Sequence, residues 1–165
     1  MDLYLVRHAI AFDRDPVVWP NDSERALTSD GVEKFRLAAR GLHSVVPKVD
    51  VVLSSPWTRA WDTALLLAEE AGWPEPELCV ALTGGDFEAW SSAIAGYEGA
   101  SAVALVGHEP HLSDFATWLL GTAGGRALLE MKKGGAAYIE CAEPRAGFPA
   151  VLRWLLPPRI LRRLA

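Results

Sequence analysis

The sequence predicts an α/β fold, a three-layer α/β/α sandwich around a mostly parallel central sheet. Three observations predict it. Short apolar runs alternate with segments of helical period, the pattern of βαβ units. The early runs are apolar at consecutive positions, as strands buried on both faces are. A length of 165 residues, at roughly 150 per domain, makes one domain spanning 1–165, large enough to bury about 68–70% of its unfolded surface.

Residues 3–6 form the first apolar run, which ends in Arg7-His8. Residues 9–27 lack period and hold Asp13, Asp15, Pro16, Pro20, Asn21 and Asp22. They make a long loop of the kind that often carries function. A helix follows, capped by Thr28 or Asp30, with Val32, Phe35, Ala39, Leu42 and Val46 as its apolar stripe and Pro47 as its stop. Residues 50–54 form a second strand. Ser55-Pro56 reads as a helix start with Ser55 at the cap; Ala60, Ala64, Leu67 and Ala71 line that helix and Gly72 ends it. Residues 78–81 read as a short third strand and 87–97 as a helix. Residues 101–106 read as a fourth strand ending in Gly107-His108, and 111–120 as the next helix. Residues 136–141 and 151–155 read as a hairpin across Gly147, and a short basic helix follows Pro157-Pro158.

Composition narrows the function classes. Half the residues are apolar and 22% are charged, which excludes a disordered chain. The longest apolar runs are five residues, against roughly 20 for a membrane-spanning helix. The start, Met-Asp-Leu-Tyr, has no basic segment of a secretion signal, so a cytoplasmic protein with no membrane partner is expected. The net charge of −5 argues against a nucleic-acid partner but not against a local arginine cluster. Cys79 and Cys141 lie in apolar surroundings and read as buried thiols of a reducing compartment.

Three polar sites share a position in this scheme. Arg7-His8 lies where the first strand ends, Arg59 in the first turn after the second, and His108 where the fourth ends. The C-terminal ends of parallel strands lie along one edge, where ligands of such sheets bind. Two imidazoles and two guanidiniums thus converge on one crevice. Arginines grip phosphate oxygens through paired hydrogen bonds. A neutral imidazole can attack phosphorus, and flanking cations keep it neutral. Phosphoryl transfer needs mainly such positioning and charge stabilisation.

The motifs themselves resemble a known family. Leu-Val-Arg-His-Ala at 5–9 resembles the Arg-His-Gly signature of the histidine phosphatase superfamily. Residues 54–60 (SSPWTRA), with Thr63, resemble its second motif, and residues 106–110 (VGHEP) its third. Residues 25–31 (RALTSDG) match the segment that follows the first loop. The style is closest to the short bacterial phosphohistidine phosphatases. The resemblance implies a phosphoglycerate mutase-like fold and a metal-independent phosphatase with no cofactor. It implies that His8 is the nucleophile that becomes phosphorylated. Arg7 and Arg59 hold the phosphate, His108 shares the pocket, and Arg25 is a further phosphate contact.

Two departures stand out. Ala9 replaces the signature glycine. The carboxylic acid that protonates the leaving group in many members has no clear counterpart; Asp86 and Glu88 after Gly84-Gly85 are the candidates, with Glu109 a third. A weakly placed acid favours phosphohistidine, whose imidazole leaves more readily than an alkoxide. Only about 20 residues separate the third and fourth strands, little material for a lid over a small molecule. The expected partner is therefore a phosphorylated protein carrying phosphohistidine. A small phosphorylated metabolite is the alternative, and an inactive phosphate-binding module a third reading. The remaining signals have plainer explanations. The His108-x-x-His111 spacing lacks the further ligands of a zinc site. Trp57 and Trp61, one turn apart, read as core packing, and Arg159, Arg162 and Arg163 as a solvated helix face.

Overall fold

The polypeptide, described by a computed structural model over residues 1–97, 99–121 and 129–165, builds one six-stranded sheet. The strands are β1 (Asp2–Arg7), β2 (Val51–Ser54), β3 (Glu77–Leu78), β4 (Ala102–Gly107), β5 (Ala136–Cys141) and β6 (Ala150–Leu156). The helices are α1 (Ser29–Val45), α2 (Thr58–Ala71), α3 (Phe87–Ala95), α4 (His111–Leu119) and α5 (Pro158–Leu161). Spatial order is β3-β2-β4-β1-β5-β6. The first four strands are parallel, and β5 and β6 form an antiparallel hairpin on one side. Gly147, at φ 85°, supplies the left-handed turn between them.

Side chains of the central strands alternate between two cores. Tyr4, Val6, Val52, Ala104 and Val106 face α1, α2 and α5, packing on Phe35, Leu42, Leu67 and Leu161. Leu3, Leu5, Leu53, Val103 and Leu105 face α3 and α4, packing on Trp90, Ile94, Leu112 and Phe115. This two-sided burial is why the runs are apolar without alternation. Both cysteines are buried and unpaired. Burial pushes the Cys141 thiol up to about 11, which makes it an inert apolar filler. Among the described residues, no helix is long and apolar enough to cross a membrane.

Local chemistry explains the boundaries. Thr28 caps α1 by accepting from Gly31 N at 2.9 Å, while Asp30 pairs with Lys34 instead. Gly72 at φ 66° ends α2. The helix α2 begins at Thr58, later than Ser55-Pro56 suggests: Ser55 Oγ accepts from Trp57 N and does not cap the helix. The apolar run at 78–82 is a strand for one residue only. It lies at the sheet edge, leaves Leu78 and Val80 in solvent, and turns into a 3-10 segment (Val80–Thr83) that buries Leu82.

Two glycines set helix positions by close approach. A Cβ on Gly31 would lie 2.1 Å from Ile10 O, so the start of α1 lies directly on the chain leaving β1. A Cβ on Gly41 would lie 1.8 Å from Leu161 O, so α5 rests on the backbone of α1. Gly→Ala in a helix ordinarily stabilises by up to about 1 kcal/mol. Gly41→Ala is expected to do the opposite, costing about 1–3 kcal/mol by overpacking. Urea unfolding midpoints measure this, and a raised midpoint would refute the packing described.

Candidate active site

Parallel pairing aligns Arg7 with Gly107. His8 N then bonds Gly107 O at 3.0 Å, and the residue after each strand is a histidine. The two imidazoles lie with ring centroids 5.3 Å apart, both 5% exposed. Ser55 N bonds Val106 O, which brings the turn before α2 to the same edge. Arg7, His8, Arg59 and His108 therefore line one pocket of about 230 Å³. Arg25, Trp57, Glu109, His111, Thr83 and Lys133 complete its wall.

Each group in the pocket is held. His8 Nδ1 lies 2.7 Å from Ala9 O. A carbonyl oxygen only accepts, so Nδ1 carries the proton and the lone pair sits on Nε2. Ala9 N donates to Thr63 Oγ1, which in turn donates to Arg59 O. One threonine thereby ties the end of β1 to α2. No residue other than glycine has positive φ among the described residues, so Ala9 takes the signature glycine's place without backbone strain. His108 Nε2 meets Ser55 Oγ at 2.9 Å. Arg7 donates to Met131 O. Arg59 donates to the backbone oxygen of Asp22 at 2.7 Å and to its carboxylate at 3.1 Å. Asp22 also binds Arg25 Nε at 2.8 Å, so one carboxylate separates two guanidiniums.

The electrostatics favour neutral imidazoles and an anionic guest. Burial pushes His8 down to about 3, helped by Arg59, Arg7 and Lys133 and opposed by its bond to Ala9. Burial also takes His108 to about 3, helped by His8 and Arg59. Burial lowers Arg59 as well, and Arg25 adds to the effect against Asp22. Burial raises the Asp22 carboxyl, but the hydrogen bond and charges of its arginines outweigh that and hold it below its ordinary value. Arg7 Nε, Arg59 Nε and His108 Nδ1 are buried and lack a partner among the described residues. Three donors around one buried nucleophilic nitrogen suit a tetrahedral oxyanion.

The structure brings His8, Arg7, Arg59, His108 and Arg25 together, but not Asp86 and Glu88. Asp86 caps α3 through Ala89 N. Glu88 faces a separate groove with Ser91 and Arg145. Glu109 lines the pocket, though its Oε1 is engaged by Ser113 Oγ and Met131 N. Trp57 is pocket wall rather than core: its ring lies 4.7 Å from that of His108, and Arg59 Cζ is 4.6 Å from its centroid. Sequence reasoning missed Asp22, Lys133 and the role of Ser55. A loop carboxylate and a lone lysine have no periodic signature, and Ser55 resembled an ordinary cap. Among the described residues, no group of three or more His, Cys, Asp or Glu is placed to hold a metal ion.

Comparisons with known proteins show the family and the fold. The model of the histidine phosphatase superfamily (branch 1) matches residues 3–98, which hold Arg7, His8 and Arg59 and stop short of His108. An uncharacterized protein of Picosynechococcus sp. is 33% identical over 168 residues, spanning 95% of this chain and 100% of that protein. The fold is similar to that of the protein histidine phosphatase SixA complexed with tungstate, at TM-score 0.82 and 24% identity over 98% of this chain and 99% of that one. It is also similar to a phosphoserine phosphatase of Entamoeba histolytica in complex with 3-phosphoglyceric acid, at TM-score 0.66 and 16% identity over 97% and 98% of the two chains.

The depressed imidazoles make a stability prediction. Folded values near 3 lie below the unfolded value near 6.5, so below pH 6.5 the unfolded chain takes up protons that the native site refuses. Stability is full above that pH and falls as pH drops toward 3, by about 1.4 kcal/mol per pH unit for each histidine. Urea midpoints between pH 7 and 5 should fall in the wild type and fall less in His8→Asn. Equal slopes would mean that His8 is not shielded.

Proposed function

The chain belongs to the histidine phosphatase superfamily, and from that premise we propose a metal-independent phosphatase that acts through phosphorylated His8 on protein-borne phosphohistidine. The observation that carries this reading is the set of buried nitrogens without partners, Arg7 Nε, Arg59 Nε and His108 Nδ1, on residues that line one pocket with a neutral His8.

The chemistry runs in two displacements. His8 Nε2 donates its lone pair to phosphorus, an N–P bond forms, and the bond from phosphorus to the leaving nitrogen breaks, with the electron pair departing on that nitrogen. The departing ring, protonated on its other nitrogen, leaves as a neutral imidazole and needs no further proton. Water then attacks phosphorus, gives its proton to solvent, and the bond to Nε2 breaks to restore His8 and release inorganic phosphate. Such covalent catalysis splits one difficult step into two. Arg7 and Arg59 hold the equatorial oxygens; a charge pair at about 4 Å contributes up to ~4 kcal/mol at an effective dielectric near 20. We assign the Ser55 hydroxyl as donor to His108 Nε2, which leaves the His108 proton on Nδ1 for a phosphate oxygen.

The placement of the acids supports this substrate class. Asp86 and Glu88 are occupied elsewhere, and Glu109 is engaged by two donors. With Asp86 and Glu88 elsewhere and one oxygen of Glu109 already engaged, the site serves a leaving imidazole better than an alkoxide, which must gain a proton as it departs. The relatives offer both classes: the SixA structure is described as a protein histidine phosphatase, and the Entamoeba protein as a phosphoserine phosphatase. Two buried, unpaired thiols suit a reducing compartment, so we place the enzyme in the cytoplasm.

Rapid quenching with ³²P-labelled phosphohistidine protein should trap an acid-labile, base-stable phosphate on His8. His8→Ala should lose turnover by at least ~10³-fold while retaining the fold. An acid-stable label, or activity persisting in His8→Ala, would remove His8 as nucleophile. EDTA should leave turnover unchanged; a loss restored by zinc would revive a metal at His108 and His111.

A further inference from the structure

Beside the reaction pocket lies a larger groove, of about 530 Å³, that phosphoryl transfer does not use. Leu155, Leu156, Pro157 and Pro158, all half-buried, form its apolar floor. Lys132, Arg159 and Arg162 stand around the floor. Glu130 is the carboxylate of the lining, and Lys132 engages it at 2.5 Å. Among the described residues, Arg159 and Arg162 form no ion pair.

A small gap with shared lining residues lies between this groove and the reaction pocket. Pro158 and Arg162 also line a narrow gap of about 30 Å³ together with Lys34 and Lys133. Lys133 in turn lines the pocket of His8. Lys34 is paired with Asp30, so Arg162 and Lys133 are the cations that stand between α5 and the pocket of His8, on a chain whose net charge is −5. Local charge set against the overall sign steers and orients an oppositely charged partner. The surface is also stiff. Leu161 anchors α5 in the core, and its carbonyl occupies the space that a side chain at Gly41 would need. A preformed surface of this kind loses little freedom on binding.

We propose that this groove docks an acidic segment of the phosphorylated protein substrate. Carboxylates of the segment meet Arg159 and Arg162, and its apolar side chains cover the floor at 155–158. The phosphohistidine then enters the pocket of His8. The proposal rests on the reading of the substrate as a phosphoprotein and adds where that protein is held.

The test compares wild type with Arg159→Glu/Arg162→Glu on three substrates: a phosphohistidine-bearing protein of net negative charge, free phosphohistidine and p-nitrophenyl phosphate. At low salt, KM for the protein should rise roughly tenfold or more with kcat little changed, and the effect should shrink near ~0.5 M salt. Both small substrates should be turned over as by wild type. Equal losses on all three substrates, or an unchanged KM for the protein, would overturn the docking surface. Should the reversal variant fail to fold, Arg159→Gln/Arg162→Gln carries the same comparison. A wild type active on p-nitrophenyl phosphate but inert toward both phosphohistidine substrates would instead overturn the reading of the substrate. Co-sedimentation with phosphatidylserine vesicles that the variant loses, with protein KM unaltered, would give the groove to a membrane surface and overturn the proposal.

Discussion

Arg7 pairs with Gly107 across two parallel strands, and the next amide still bonds the Gly107 carbonyl. Everything at the site depends on that register. Strands β1 and β4 are about 100 residues apart in sequence but end side by side, so the residues just beyond them must share a space. A slip of one position would send Leu3 and Leu5 to the face of Tyr4 and Val6 and would cost both cores. The register is therefore enforced by hydrophobic burial over the whole sheet, and the reactive pair inherits that enforcement. The two imidazoles need no direct bond to each other to be positioned.

Such convergence has an electrostatic cost. Burial disfavours a charge on either imidazole and the neighbouring Arg59 adds to the effect, so both histidines stay neutral far below their ordinary value. Charge repulsion would push the arginines apart were Asp22 not between them. Its carboxylate contacts Arg25 and Arg59 together, and its backbone oxygen binds Arg59 again. Half of the anion-binding field is thus held by a residue of the loop that follows β1, while the other half is held by the sheet. A dianionic guest offsets the repulsion among these cations, and that is a physical reason for the pocket to prefer phosphate over a neutral ligand.

The sheet, its helices and the four central side chains were legible because each is written in a local signal. Consecutive apolar residues mark strands buried on both sides, and the polar pair at the end of each run marks the sheet edge. Leu78 and Val80 misled because an edge strand is judged by what covers it, which no local pattern records. Ser55 misled for a different reason: a serine before a proline is a common cap, and only the distant His108 gives it another partner. Asp86 and Glu88 follow glycines in the expected interval, yet helix capping and a separate groove claim them. Trp57 shares helical spacing with Trp61, but the spacing says which face a ring takes and not what stands opposite. For Ser55 and Trp57 the decisive contact, with His108, comes from a residue far away in sequence.

The loop after β1 is closed at its base and open at its tip. Ala11 pairs with Leu27, Phe12 N bonds Ala26 O, and Thr28 N bonds Ile10 O, so its two ends are stitched together. Further out, Val17 and Val18 are 86% and 62% exposed, held only by the turn that Asp15 makes. A stem that is fixed and a tip whose valines stand in solvent separate two kinds of selection. Residues near the tip can drift, lengthen or be exchanged between lineages without loosening the reaction centre. Discrimination among targets can evolve there while the catalytic apparatus stays unchanged.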